Sequence, residues 1–350
     1  MILRQKKNNL KCLWDIGKRK KKIIEMRVNR FLALTAVFAT LFAGCDKHTN
    51  VNYSQFKFLK NLTEHSHRVE SVSWSPDGKY IASSSYDGTI VLKKAKSGKY
   101  IGTLEGHSEG WNELSWSPNS KYLASASYGD NRIKVWDVNS GECVRTLKGG
   151  YDKGHKVSWS PDGKYIASTI GDAGLNIWDP NVGVCIQSLN TGYGVISISW
   201  SPDGKYIACN GGYGAETIKI WNANTGVCIR TLEGHSSDVR SVCWSPDGKY
   251  LASGSCDNTV KLWDANSGAC LQTFDGHSWN VYSVSFSSDG KYLASGSKSG
   301  EIGLWDVNTG KKILILKGHS RGVNSVSWSP DGRYLVSGSS DNTVKIWGEK

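Results

Sequence analysis

The sequence predicts an all-β fold: a closed ring of seven four-stranded antiparallel sheets, completed by an N-terminal strand. Three observations predict it. An aromatic residue followed by a close variant of Ser-Pro-Asp-Gly-Lys-Tyr occurs at Trp74, Trp116, Trp159, Trp200, Trp244, Phe286 and Trp328, in steps of 42, 43, 41, 44, 42 and 42 residues. A period this regular marks a repeat architecture. Apolar residues alternate within each copy as strands require, and no helical period competes after residue 50. Finally, 12 of the 15 tryptophans fall on two positions of the repeat.

The fifth copy shows how each element follows. Val239 to Trp244 is a short β-rich run. Ser245-Pro246-Asp247-Gly248 is a tight turn: Pro presets φ at the first corner, Asp bonds its own backbone, and Gly takes the left-handed position. Tyr250 to Ser253 is a second strand, and Cys256-Asp257-Asn258 a second polar turn. Thr259 to Trp263 alternates, with Val260 and Leu262 on one face and Lys261 and Trp263 on the other. Ala265 to Gly268 turns again, and Ala269 to Phe274 is the fourth strand. One such sheet cannot bury both of its faces alone. Stacking the copies around an axis does so, and closure removes the exposed edges. Six tryptophans precede the Pro turn, and six more are Trp136, Trp178, Trp221, Trp263, Trp305 and Trp347. Each contributes roughly 1.5–3 kcal/mol when buried between sheets, so these twelve are core.

Gly234-His235, Ser253, Asp257 and Trp263-Asp264 resemble, in type and spacing, the signature of the WD-repeat β-propeller family. The resemblance spans about residues 56–347. It implies a seven-bladed β-propeller of four-stranded antiparallel blades. It also implies a buried, hydrogen-bonded tetrad in each intact blade. The tetrad is complete as His107, Ser125, Asp130 and Trp136, as His235, Ser253, Asp257 and Trp263, and as His319, Ser337, Asp341 and Trp347. Three copies on scaffold positions argue against a hydrolase triad. Lys93-Lys94 replaces Trp-Asp in copy one, and Gly150 replaces His in copy three. Copy four has Thr191, Cys209 and Ala215 for His, Ser and Asp, and copy six has Ser299 for Asp. Blades three and four are therefore expected to be less tightly locked than five and seven.

The repeats end at Trp347, after a third strand. Phe56 to Leu62 aligns with Cys228 to Leu232 and stands before copy one with no blade to serve. It is expected to close the ring, as in the family, giving a propeller over residues 56–350.

Residues 1–44 form a leader of net charge +9, against +12 for the whole chain. The basic character therefore belongs to the leader, which removes most of the case for nucleic acid, whose partners need a basic docking face on the folded domain. Within it, Arg27 and Arg30 precede a 14-residue apolar run, Phe31 to Gly44. That is short for a bilayer span and right for the apolar region of a signal peptide. The run ends Leu41-Phe42-Ala43-Gly44-Cys45, which is similar to a bacterial lipoprotein lipobox, with Phe42 where that pattern has Leu. The resemblance implies a lipidated Cys45, a start at Met26, a polar tether over residues 45–55, and membrane contact only through the acyl chains. The alternatives are an uncleaved anchor and a cytosolic protein with a spurious leader.

Cys143, Cys185, Cys228 and Cys270 occupy one repeat position on outer strands. Adjacent blades place them on the order of 15 Å apart, beyond the roughly 7 Å between Cα atoms that a disulfide spans. Free thiols fit an exported protein poorly. Cys209, Cys243 and Cys256 fall in blades four and five, where a bond remains open. No C-x-x-C occurs, so a metal or redox site is disfavoured.

In such a blade the loop leading into the innermost strand and the loop between strands two and three share one end, the top. The Pro-Asp-Gly turns, nearly identical between copies, mark the bottom. The variable top loops are where binding residues belong. They carry Tyr86, Tyr128, Tyr151, Tyr193, Tyr213, Trp279 and Tyr282, several flanked by Gly, which together supply rigid contact area and adaptable backbone. Trp111 is either a further top-loop aromatic or a strand residue. The charged top positions Arg68, Glu70, Lys153, His155, Asp238, Arg240, Lys298 and Arg321 match places from which the family contacts partners. Their mixed signs favour a protein or peptide over a polyanion.

The expected function is a monomeric, non-catalytic interaction scaffold without cofactor or metal, membrane-anchored at the cell envelope. A cytosolic regulatory propeller is the alternative. A propeller enzyme such as a glycosidase is a third reading. It would need two carboxylates about 5–9.5 Å apart, and among Glu70, Glu109, Glu113, Asp152 and Glu216 no pair stands out in the sequence.

Overall fold

The computed structural model describes residues 51–350 except 63, 109, 111, 149–155, 170–173, 193, 213 and 350. The leader with Met26 and Cys45, residues 46–50, Trp111, and the predicted site residues Tyr151, Lys153, His155, Tyr193 and Tyr213 lie outside the described residues.

Local alternation builds seven four-stranded antiparallel sheets. Blade 5 runs Val239–Trp244, Tyr250–Ser255, Val260–Asp264 and Cys270–Phe274, from the axis outward. The second strand of a blade is buried on both faces. In Tyr250–Ser255 the five residues after Tyr250 are all buried. Cores therefore lie between blades: Ala208, Ile218, Ile220 and Leu232 of blade 4 pack with Val242, Trp244, Leu251 and Trp263 of blade 5. Trp263, Trp305 and Trp347 are among the largest fully buried side chains.

The repeat also sets how closely blades approach. A Cβ on Gly254 would stand 2.6 Å from Val281 Cγ1, so glycine at this second-strand position admits the innermost strand of blade 6. The innermost strands of blades 3 and 4 have three residues each, Val157–Trp159 and Ile198–Trp200, against six in blades 5 and 7. Blades 3 and 4, whose sequences lack tetrad residues, thus have the shorter innermost strands.

Lys57–Leu62 pairs antiparallel with Val344–Gly348, Leu62 opposite Val344, and closes the last blade as predicted. The end of the segment expected to be a polar tether is packed on the ring. Tyr53–Gln55 forms a 3₁₀ turn whose capping Asn52 side chain accepts from Ser54 N. The Tyr53 ring packs at a tilt against Phe56 and Tyr292 and edge-on to Trp328.

Candidate propeller mouth

Hydrogen bonds fix the top of blades 1, 5, 6 and 7. Tyr86 N donates to Arg68 O, Cys256 N to Asp238 O, Lys298 N to Asn280 O, and Ser340 N to Gly322 O, at 2.8–3.0 Å. The turn between strands two and three is thus tied to the loop leading into the innermost strand, which puts both on one end, as predicted.

Beneath this end the tetrads are intact where sequence predicted them. In blade 5, Trp263 Nε1 donates to Ser253 Oγ at 2.8 Å, and Ser253 Oγ and His235 Nε2 are 2.7 Å apart. His235 Nδ1 lies 2.6 Å from Asp257 Oδ2. Blades 2 and 7 repeat this through His107 and His319. Ser253 has no exposed surface, so it is a structural hydroxyl rather than a placed nucleophile. Burial holds His235 below its ordinary range against the pull of Asp257, which favours the neutral ring donating from Nδ1. Blade 1 keeps His65 on Ser83 at 2.8 Å. Lys93, in the tryptophan's place, is buried and ion-paired to Glu64. In blade 6, His277 bonds Ser295 at 2.6 Å, but its buried Nδ1 has no partner.

A shared irregularity shapes the mouth. The innermost strands of blades 1, 5, 6 and 7 each carry a register shift against the second strand, between Val69 and Ser71, Val239 and Ser241, Val281 and Ser283, and Val323 and Ser325. The extra residues are Glu70, Arg240, Tyr282 and Asn324. A bulge re-aims its side chain, and all four line one cavity of about 350 Å³, with Arg68, Lys156, Ile196 and Ser340. The channel continues inward past Glu113 and a ring of serines.

The electrostatics are mixed and largely self-paired. Arg68 Nε is bonded to Glu70 and stacks 4.2 Å over Tyr86. Burial raises the Glu70 carboxyl, with Arg68 opposing. Lys156 Nζ donates to Glu113 at 2.7 Å. Arg240 donates from Nε to Cys256 Sγ at 3.1 Å, with Asp238 3.6 Å from its Nη2. Asn324 Nδ2 donates to Val69 O and Ser340 Oγ. Glu70 and Glu113 share the channel, each engaged by its own cation.

Of the predicted residues, Arg68, Glu70, Arg240 and Tyr282 converge on the mouth. Asp238 and Tyr86 support it from behind. Lys298 lies 5.3 Å over the exposed Trp279 ring, on the top of blade 6. Tyr128 is exposed at the top of blade 2, and Arg321 at the top of blade 7, where its carbonyl accepts from Ser339 Oγ. None of these four, Lys298, Trp279, Tyr128 and Arg321, lines the cavity. Sequence reasoning missed Lys156, Ile196, Asn324 and Ser340. Counting back from the anchoring aromatics finds the first three: Ile196 and Asn324 stand four places before theirs, where Arg240 stands, and Lys156 three places before Trp159.

Among the described residues no group of three or more His, Cys, Asp or Glu is placed to hold a metal, and no helix is long and apolar enough to cross a membrane. The seven described cysteines are free thiols. The family model described as WD domain, G-beta repeat matches residues 56–92, 98–137, 141–179, 183–222, 226–264, 268–306 and 310–348. No curated protein matches the chain significantly.

Proposed function

Because the chain belongs to the WD domain, G-beta repeat family, whose propellers typically serve as protein-interaction scaffolds, we propose that it is a non-catalytic scaffold gripping a protein or peptide at its mouth. The observation that carries this is the convergence of four bulged residues, Glu70, Arg240, Tyr282 and Asn324, on one cavity. The mouth offers a carboxylate, a guanidinium, an aromatic face and an amide within one opening. Such a set suits a peptide with both charges and a planar backbone better than a polyanion. On sequence grounds, Tyr151, Tyr193 and Tyr213, each beside a glycine, are included in the proposed partner-binding set.

Cys45 is the proposed lipid attachment site, each buried acyl CH₂ contributing about 0.8 kcal/mol. Asn52 leads into the propeller beside Glu349, and Tyr53 sits on Gly332 of a Pro-Asp-Gly turn. The described chain thus enters the propeller at the end opposite the mouth.

Selection from a random peptide library tests the site. Arg240→Ala with Tyr282→Ala weakens selected peptides at least about tenfold without lowering the melting temperature. Undiminished binding refutes the mouth. A second reading, a cytosolic scaffold, draws on the free thiols, with Cys143 and Cys270 exposed. Mass spectrometry of the native N-terminal peptide separates the two: acylated Cys45 supports the anchor, and an unmodified Met1 or Met26 removes it.

A further inference from the structure

The bottom end holds a pocket between blades 6 and 7 that the chain fills itself. The Tyr53 ring lies 4.2 Å from Tyr292 and 5.5 Å from Trp328, and Phe56 lies 5.8 Å from Trp328. Tyr53 Oη donates to Gly332 O at 3.3 Å, and Asn52 N to Glu349 Oε2 at 3.1 Å. Burial pushes the phenol above its ordinary range, and the Asp289 and Asp331 carboxylates push the same way, so it stays a neutral donor.

The repeat builds the same walls elsewhere. Between blades 2 and 3, Tyr122 and Trp159 stand where Tyr292 and Trp328 stand, and Gly163 where Gly332 stands. Between blades 4 and 5 the equivalents are Tyr206, Trp244 and Gly248. These surfaces line open cavities of about 400 and 500 Å³. Pro118 and Pro202 take the place of Ser288, making both cavities more apolar at that edge. Val144 and Ile229, each 46% exposed, complete the outer walls.

We propose that these two pockets dock a partner protein's aromatic turn, a Tyr followed three residues on by a large apolar residue, seated as Tyr53 and Phe56 are. The filled pocket supplies the argument for this occupant. It shows which ring the Tyr–Trp wall accepts and which carbonyl its hydroxyl reaches, and both features recur in the open pockets. The site lies at the opposite end from the mouth and does not depend on it.

The test adds a fluorescent peptide with the sequence of residues 52–56, Asn-Tyr-Ser-Gln-Phe, to the full chain. Two saturable sites are expected. Val144→Glu and Ile229→Glu each remove one, and together they remove both. Replacing the peptide's Tyr by Ala weakens binding at least about tenfold. Both substituted positions are half exposed, so unchanged melting and unchanged binding of mouth-selected peptides keep this test separate from that of the mouth. The proposal is overturned by the absence of saturable binding at about 1 mM peptide, by full binding to the double variant, or by indifference to the Tyr.

Discussion

Lys156 Nζ donates to Glu113 Oε2 over 2.7 Å at a position that is serine in the other five blades. Elsewhere that serine joins neighbouring blades. Ser197 Oγ accepts from Val242 N, Ser241 Oγ from Val284 N, Ser283 Oγ from Val326 N, and Ser325 Oγ from Val72 N, at 2.9–3.1 Å. The ion pair thus replaces two members of a ring of inter-blade hydrogen bonds.

Breaking that pair one-sidedly should cost more than removing it. Lys156→Ser leaves the Glu113 carboxylate in the channel without its cation and is expected to lower stability by about 1–3 kcal/mol. Adding Glu113→Ser restores the repeat residues and should recover most of the loss. Denaturant melts of the two variants decide it. A single variant as stable as the parent contradicts the pairing.

The unpartnered Nδ1 of His277 marks a defect that can be repaired. Ser299 occupies the tetrad's aspartate position in blade 6. Ser299→Asp supplies the missing acceptor and is expected to raise stability by about 1 kcal/mol at neutral pH. Thermal melting that falls instead would show that the carboxylate cannot reach the ring.

Acid should unfold the propeller earlier than carboxylate titration alone predicts. Burial lowers His277 from 6.5 to about 4. The unfolded chain therefore takes up a proton below pH 6.5 that the native chain refuses, and stability falls as pH drops from 6.5 toward 4. The loss from this residue reaches roughly 3 kcal/mol. Asp257 and Asp341 follow. Burial would raise both, but hydrogen bonds from His and Thr hold them below the usual carboxylate range. Their stabilisation is full above about pH 3.8 and is lost as pH falls through their lowered native values. In Ser299→Asp the loss between pH 6.5 and 4 should shrink. An unaltered pH profile would falsify the assignment.

Ring closure rests on one short strand. Leu62 is 3% exposed and packs in the cluster with Val69, Trp74, Val344 and Ile346. Leu62→Ala is expected to cost about 2–4 kcal/mol. A chain beginning at Glu64 lacks the strand and leaves Val344–Gly348 as an open edge, so it should aggregate or melt without cooperativity. A sharp melt at the parent temperature contradicts closure.

The blades, their strand order, the tetrads and the closing strand were legible because each rests on a local pattern repeated at fixed spacing. The mouth was only half legible. Glu70 and Arg240 are far apart in sequence, and the bulges that turn them into one cavity depend on pairing with the second strand, which no single residue announces. Lys153 and His155 drew attention as loop charges, but Lys156, one place further on, is the cation in the channel. Tyr53 was read as part of a polar tether because its partners, Tyr292 and Trp328, arrive only when the ring closes.

The most direct test of the mouth is hydrogen–deuterium exchange on the full chain with and without a library-selected peptide. The account predicts slowed exchange in the innermost strands of blades 1, 5, 6 and 7, around Glu70, Arg240, Tyr282 and Asn324, with the Pro-Asp-Gly turns unchanged. Protection confined to those turns or to the outer strands, with the mouth exchanging as before, would contradict it.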